Sequence, residues 1–514
     1  MSNSRTKNTT RNIGAGLIHQ IVSIVLPFVN RTAVLWTLGA EFTGLAGLFS
    51  SILNVLYMAE LGFNTAIVYS LYKPMADKDH KKICEIVSLF RKIYTVVGTV
   101  VLIGGLAIAP FLTSLIHGSY PDSINLYIVY FLYLANSAIS YYLFAYKECL
   151  LIADQRQDIA KNIRTAVNVA RYLAQLLILI ITKDFYLYLI VAIIGTIVIN
   201  LLIHFSTRKR YPYYKRIKAR LKIPTEMKKQ VGGLVISKIC DTFRNSFDSV
   251  IISSFVGLTA TAIYGNYYYV FWSACCIMLV ISNAMSASIG NSIVKNSEKT
   301  NYRHLLVFSQ IYAGIMGFAT VVLACFYQPF MKVWAGEGLM LPSLDVLLFC
   351  IYFYTMNMNN IRNQYISGTG MWWKLRNSYI IEALANLGLN FILGRLFGIT
   401  GVILATILTI IAFNYLQRNV VLFKNYFKNE RIGEFYRQQL YYLALSIIGL
   451  AISILVCVNL PFDGALNWIA RAIICLIVPN SIYYCGIRHT GIFEEVRRLA
   501  SQVKKTIIHR RKIA

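Results

Sequence analysis

Charge is scarce in this sequence. Only 14% of its 514 residues are Asp, Glu, Lys or Arg, where soluble domains carry about a quarter. Water is therefore a poor solvent for most of the chain. No GxxxxGK[ST] pattern occurs, which excludes ATP hydrolysis through a P-loop. There is no CxxC pair. The ten cysteines, most of them in apolar runs (Cys240, Cys275, Cys276, Cys325, Cys350, Cys457 and Cys475), read as small packing residues, and no cofactor or metal is expected. Alternating segments of about ten residues, the signature of a membrane barrel, are missing. No long polar loop could hold a polymerase or ligase site, so an enzyme is not expected. A cleavable leader is not expected either. The first apolar run is long, follows a short basic stretch and lacks a small-residue cleavage site, so it should remain as a helix.

What is abundant is hydrocarbon: 57% of residues are hydrophobic and the mean hydropathy is +0.56. A helix crosses about 30 Å of lipid core with roughly 20 apolar residues. Runs of that length predict fourteen spans, at 12–38, 44–72, 89–116, 124–150, 158–182, 184–206, 231–257, 260–290, 304–331, 342–368, 376–394, 398–423, 438–460 and 466–487. The fold class expected is an all-α integral membrane protein.

The formal net charge of +28 invites a nucleic-acid reading, but its distribution argues otherwise. Bases crowd the termini and alternate loops: Arg5 to Arg11, Lys73 to Lys92, Arg208 to Lys229, Lys295 to Arg303, Arg418 to Arg437, and Arg497 to Lys512. The opposite loops hold only Lys183, Lys332 and Arg395. By the positive-inside rule both termini are expected in the cytoplasm, which needs an even number of spans. The charge is thus mainly a topology signal, and no nucleic-acid partner is expected.

Sliding the chain against itself by 215 to 218 residues brings features into register. Gly39 in WTLGAEFTGLAGLF falls on Gly257 in SFVGLTATAIYGNYYYVF, with Arg31 and Asp248 shortly before each. Lys147 falls on Arg362, and Lys161-Asn162 on Arg376-Asn377. Six spans separate the copies, so both halves should face the same way. The organisation expected is a six-helix half at 1–205, a basic cytoplasmic linker at 206–230, a second six-helix half at 231–424, two additional spans at 425–490, and a basic amphipathic tail at 491–514 that suits an anionic lipid surface.

Ionisable groups inside spans cost roughly 2.5 to 3.5 kcal/mol each on insertion scales, and each needs a partner or a wet cavity. Span 7 carries Lys238, Asp241, Arg244 and Asp248 on one helical stripe. The alternating signs fit a self-neutralising packing stripe, and they equally fit a cavity wall. Arg31 lies deep in span 1 and presents a fork suited to phosphate oxygens, and an Arg31–Asp248 pair is one arrangement the repeat suggests. Lys147 and Arg362 sit near the cytoplasmic ends of spans 4 and 10, either reaching headgroups or lining a cavity, as the polar run MNMNNIRNQ suggests. Arg171 and Arg471 lie nearer span ends. Glu60 in MAELGFNTA and Glu382 in span 11 are candidate coupling or gating acids together with Asp241 and Asp248, and Arg31, Lys147, Lys238, Arg244 and Arg362 are candidate substrate-binding bases. His19 reads as a hydrogen-bonded packing residue.

The stretch LGAEFTGLAGLFSSILNVLYMAELGFNTAIVYSLYKPMADKD, from Leu38 to Asp79, with GLTATAIYGNYYYVF in the second half, resembles the Wzx-type polysaccharide flippases of the multidrug/oligosaccharidyl-lipid/polysaccharide superfamily. The resemblance implies two six-helix bundles plus two helices, and an undecaprenyl-diphosphate-linked oligosaccharide moved to the outer leaflet of a bacterial cytoplasmic membrane. It also implies a cationic cavity, H+ or Na+ as a coupling ion, and polysaccharide polymerase and chain-length proteins as partners. The regions around Arg31 and Glu60 are the ones it carries over. An ion-coupled antiporter of small molecules is the rival within the superfamily, and would call for a carboxylate-rich cavity. A membrane glycan polymerase or ligase would call for a large external loop.

Overall fold

The computed structural model describes residues 2–56, 63–217, 225–461 and 463–497, and no strand occurs among them. The apolar runs form helices because, away from water, only an internally hydrogen-bonded backbone leaves no polar group unsatisfied. In order these are α1 (Ser2–Thr37), α2 (Ala40–Leu56), α3 (Phe63–Ala76), α4 (His80–Ile108), α5 (Leu126–Tyr142), α6 (Glu148–Ala153), α7 (Gln157–Ile181), α8 (Phe185–Arg210) and α9 (Thr225–Phe255). There follow α10 (Leu258–Lys295), α11 (Glu298–Ala335), α12 (Ser343–Asn357), α13 (Asn360–Thr369), α14 (Trp372–Thr409), a π-helical stretch Ile410–Gln417, α15 (Arg418–Asn425), α16 (Ile432–Val458) and α17 (Gly464–Ile487).

Among the described residues, nine helical segments are long and apolar enough to cross a membrane, and the bent pair Leu126–Tyr142 and Ala145–Ala153, angled at 45°, makes a tenth. This is a multi-pass membrane protein. Several expected spans turn out to be broken. Span 4 is α5 and α6 joined through a short 3-10 turn at Ala145–Lys147, and span 10 is α12 and α13 with its break at Met358 and Asn359. Spans 11 and 12 run together as α14 and the stretch after it, kinked at Gly398, where φ is 57° and ψ is −130°. The expected linker at 206–230 falls partly, and the amphipathic tail mostly, outside the described residues.

Positive-φ positions recur along the backbone at a regular offset. Positive φ occurs at Gly39 and Gly257, at Gly118 and Gly336, at Gln155 and Gly370, and at Lys183 and Gly398. The first two pairs are 218 residues apart and the last two 215. A left-handed residue is how a helix commonly stops and lets the chain turn, so the same four turns recur at the offset found in the sequence. Polar caps mark several restarts: Asp79 accepts from the Lys82 amide at 3.0 Å, Asn125 from Tyr127 at 3.0 Å, and Asp184 from Tyr186 at 2.7 Å. Each satisfies an amide that the first helical turn leaves open.

The chain forms two compact units, Met1–Gly265 with Asn390–Ile399, and Asn266–Leu389 with Thr400–Ala514. The first has a core of mixed aliphatic and aromatic residues from α2, α4 and α5, including Leu48, Phe49, Val87, Phe90, Val129 and Tyr130. There α2 meets the start of α10 so closely that a Cβ on Gly44 would lie 2.0 Å from the Leu258 carbonyl oxygen. The second unit is built on aromatics. Phe271 lies 4.4 Å from Tyr352 between ring centroids, and Tyr267 donates to Gln328 at 2.6 Å. In this unit α16 and α17 pack on each other and on α11.

Candidate functional site

Helix α7 is amphipathic in the inverted sense expected of a membrane protein. Leu173, Leu177, Ile180 and Ile181 are exposed. On the other side Gln157, Lys161, Arg164, Asn168, Arg171 and Gln175 recur at spacings of four and three residues, one face of a helix. Five of these six, all but Gln175, line a cavity of about 680 Å³ inside the first unit. The opposite wall is polar but uncharged, with Asn136 and Ser140 from α5 and Thr196 and Asn200 from α8. Thr196 donates to Asn136 at 2.8 Å, and the Asn200 amide reaches Ser140 at 3.4 Å. Helix α1 adds His19, hydrogen-bonded to Thr165 at 3.1 Å.

Three bases face one carboxylate here. Glu148 at the start of α6 pairs with Arg164. Lys161 lies along α1, where Gly16 leaves it room. Arg171 crosses α8 at Gly195, whose missing Cβ would otherwise sit 2.5 Å from the Arg171 Cδ, and its guanidinium lies over the Tyr172 ring at 4.5 Å. The Arg171 Nε is buried without a hydrogen-bond partner. An unsatisfied buried donor of a charged group is costly, and an anion entering the cavity would relieve that cost. The sequence points to Lys161 only through the repeat, and neither Arg164 nor Asn168 stands out in it. The signal that would have found them is the unbroken 4-3-4-3-4 polar stripe in an otherwise apolar span.

Arg31 reaches the Ala262 carbonyl at 3.5 Å, with its guanidinium fitted against Gly265. Asp248 is fully buried and accepts from Tyr264 at 2.7 Å and Asn390 at 2.9 Å. The suggested Arg31–Asp248 pair is therefore not formed. Both residues instead contact the first two turns of α10. The α9 stripe holds as a helix face whose burial deepens along it: Lys238 is exposed, Asp241 half-exposed, Arg244 and Asp248 buried. Arg244 and Asp241 pair at 3.5 Å. Glu60 lies outside the described residues.

Lys147 is buried, with its Nζ 3.1 Å from the His204 Nδ1 and between the rings of Phe144 and Tyr214, 5.5 and 5.3 Å away. Its repeat mate Arg362 is also buried. The Arg362 fork donates to the Asn414 side chain at 2.6 Å, to Asn363 at 2.7 Å, and to the Asn414 carbonyl. Asn414 belongs to the π-helical stretch, whose widened turn frees backbone groups for such partners. Glu382 forms a buried ion pair with Arg418. The charge distribution places Arg418 among the loop bases expected to set topology. It is instead buried at the start of α15, because its partners Ser378, Tyr379 and Glu382 lie on one face of α14.

A scan against protein-family models and a search of curated proteins gave no match. Solved structures do match over most of the chain. The lipid II flippase MurJ in an inward closed conformation is similar with a TM-score of 0.68 at 14% identity, over 93% of this chain and 98% of that one. A Vibrio cholerae MATE transporter is similar with a TM-score of 0.57 at 15% identity, over 84% and 98%. A transporter of the multidrug/oligosaccharidyl-lipid/polysaccharide superfamily from Pyrococcus furiosus is similar with a TM-score of 0.54 at 13% identity, over 82% and 96%. At these identities the likeness establishes the fold: the chain is an all-α membrane protein of the MurJ and MATE type.

Proposed function

We propose that this chain is a flippase of the multidrug/oligosaccharidyl-lipid/polysaccharide superfamily, moving an undecaprenyl-diphosphate-linked oligosaccharide from the cytoplasmic to the outer leaflet of a bacterial cytoplasmic membrane. The observation that carries the reading is the basic cavity on α7, where Lys161, Arg164 and Arg171 face the single carboxylate Glu148. A diphosphate is the anion such a cavity suits. Guanidinium and ammonium donors in a low-dielectric site hold phosphate oxygens far more strongly than in water, and the surrounding Asn and Ser groups suit sugar hydroxyls. The two halves, 1–205 and 231–424, would rock about the substrate in alternating access, with both termini cytoplasmic. Asp248, Asp241, Glu382 and Glu60 are the acids proposed for coupling to H+ or Na+. Arg31, Lys238, Arg244, Lys147 and Arg362 are bases the substrate would meet or that hold the helices around it.

The test is complementation of a flippase-deficient strain. Outer-leaflet oligosaccharide, labelled by a membrane-impermeant reagent on spheroplasts, should return with the unaltered chain and fall about tenfold or more with Lys161→Ala or Arg171→Ala. Failure of the unaltered, membrane-inserted chain to restore labelling would end the flippase reading. The buried carboxylate Asp248 favours the rival, an ion-coupled antiporter. That reading predicts gradient-driven efflux of small cations from proteoliposomes, which the excess of cavity bases opposes.

A further inference from the structure

Ten cysteines that sequence reading treated as independent packing residues are not all independent. Cys325 on α11, Cys457 on α16 and Cys475 on α17 are buried, and their three sulfurs lie within 4.8 Å of one another. All three are free thiols, brought together from positions up to 150 residues apart. The surroundings are dry: Val321, Val322, Phe326, Leu450, Ile454 and Ile474 pack against them.

Coordination chemistry narrows what such a cluster would hold. Metal–thiolate bonds of about 2.3 Å put three sulfurs of a planar site about 4.0 Å apart, within a sub-ångström adjustment of the spacing here. Structural zinc takes four ligands. Among the described residues no fourth His, Cys, Asp or Glu joins this group, and the apolar shell leaves no place for water. Soft thiolates without a fourth donor favour a monovalent d10 ion, Cu(I), over Zn(II). The charge is also largely offset. Arg471, one turn before Cys475 on α17, donates to the Cys325 carbonyl at 2.9 Å and to Asn467 at 2.5 Å. Its guanidinium and one Cu(I) together offset two of the three thiolate charges that ligation through three sulfurs requires, and three protons pass to the buffer as the ion binds. The net charge left on the assembly is −1, against −3 for the three thiolates alone.

We propose that Cys325, Cys457 and Cys475 form a three-sulfur site for Cu(I) that fastens α16 and α17, the two helices outside the duplication, to α11. It is independent of the transport cavity, which lies in the other unit. The test uses the full-length protein purified in detergent under reducing, anaerobic conditions, loaded with Cu(I) and challenged with a colorimetric Cu(I) chelator. One copper per chain should survive, with three sulfur neighbours by X-ray absorption. Cys457→Ser and Cys475→Ser should each weaken retention by more than about tenfold, while Cys350→Ser, buried elsewhere in the same unit, and Cys485→Ser, exposed, should retain it unchanged. A readout in the unaltered chain covers the case of variants that fail to fold: Cu(I) should protect these three thiols, and not Cys485, from maleimide alkylation mapped by mass spectrometry. No retained copper, retention unchanged by Cys457→Ser, loss on Cys485→Ser, absence of selective protection, or a disulfide joining two of the three in freshly isolated protein would each overturn the proposal.

Discussion

Replacing Glu382 with Gln tests whether that carboxylate holds the fold or works the transport cycle. Glu382 and Arg418 are both almost fully buried, with side chains 3% and 2% exposed. The Arg418 guanidinium also lies 3.6 Å from the centroid of the Tyr379 ring, and its Nε is 3.4 Å from the Ser378 hydroxyl. Glutamine keeps the shape and removes the charge, leaving the guanidinium uncompensated in the interior. Breaking a buried pair this way costs about 3 to 5 kcal/mol, or roughly a hundredfold to several thousandfold in the unfolding equilibrium. Replacing both partners with apolar residues, Glu382→Leu with Arg418→Met, removes the stranded charge and should cost less than either single change, so the double-mutant cycle must be strongly non-additive. The assay is reversible unfolding of the purified protein in mixed micelles. If Glu382→Gln stays within about 1 kcal/mol of the unaltered protein, or if the two single losses simply add, the structural assignment is wrong. A coupling role would give the opposite pattern, with intact stability and lost dependence on the ion gradient.

Three further predictions rest on backbone and close contacts. Gly44→Ala should destabilise by about 1 to 3 kcal/mol, because its Cβ meets the backbone carbonyl of Leu258 and not a movable side chain; the same unfolding assay reads it, and a neutral result would refute the contact. Gly195→Ala should displace Arg171 without unfolding the chain, cutting the proposed lipid-linked oligosaccharide transport by about tenfold or more at nearly unchanged stability; unchanged transport would remove Arg171 from the site. Lys183→Gly should stabilise by about 1 kcal/mol, since Lys183 holds a φ of 52° that a side chain disfavours and its repeat mate is already Gly398. A loss of stability there would mean that the Lys183 side chain contributes more than its backbone strain costs.

Much of the fold was legible in the sequence because lipid imposes one solution on a long apolar run. The offset of 218 residues between Gly39 and Gly257 was legible for a related reason: helix stops need particular residues, and both glycines hold a positive φ. Charge was harder to read. Depth along a span can be counted, but the facing partner cannot, so Arg418 looked like a loop base until α14 supplied Glu382. The Arg31–Asp248 pairing failed because repeat alignment equates positions without bringing them together in space. Asp248 found neutral donors in Tyr264 and Asn390 instead. The thiol cluster was invisible in principle. Its members come from helices that periodicity describes one at a time, and no short spacing links them.

The two copies of the α7 stripe differ in a way that bears on where an anion would sit. At the repeat offset of 215, Lys161 corresponds to Arg376, Arg164 to Tyr379, Asn168 to Ala383, Arg171 to Asn386 and Gln175 to Asn390. The second copy keeps the helix face but has discarded most of its charge, and its remaining polar groups have internal partners. Asn386 donates to Thr406 at 3.1 Å and Thr409 at 3.3 Å, Asn390 donates to Asp248, and Tyr379 lies under Arg418. At four of these five positions the second copy carries neutral side chains, and Asn386 and Asn390 donate hydrogen bonds to neighbouring side chains. The first copy places Arg164 and Arg171 at the equivalent positions, where each cation within a span costs roughly 2.5 to 3.5 kcal/mol unless something offsets it. Glu148 offsets one of them. The remaining positive charge gives no packing advantage that the second copy lacks, which supports the proposal that the cavity of the first half receives an anion, and loss of transport on Arg171→Ala at unchanged stability is the result that reading requires.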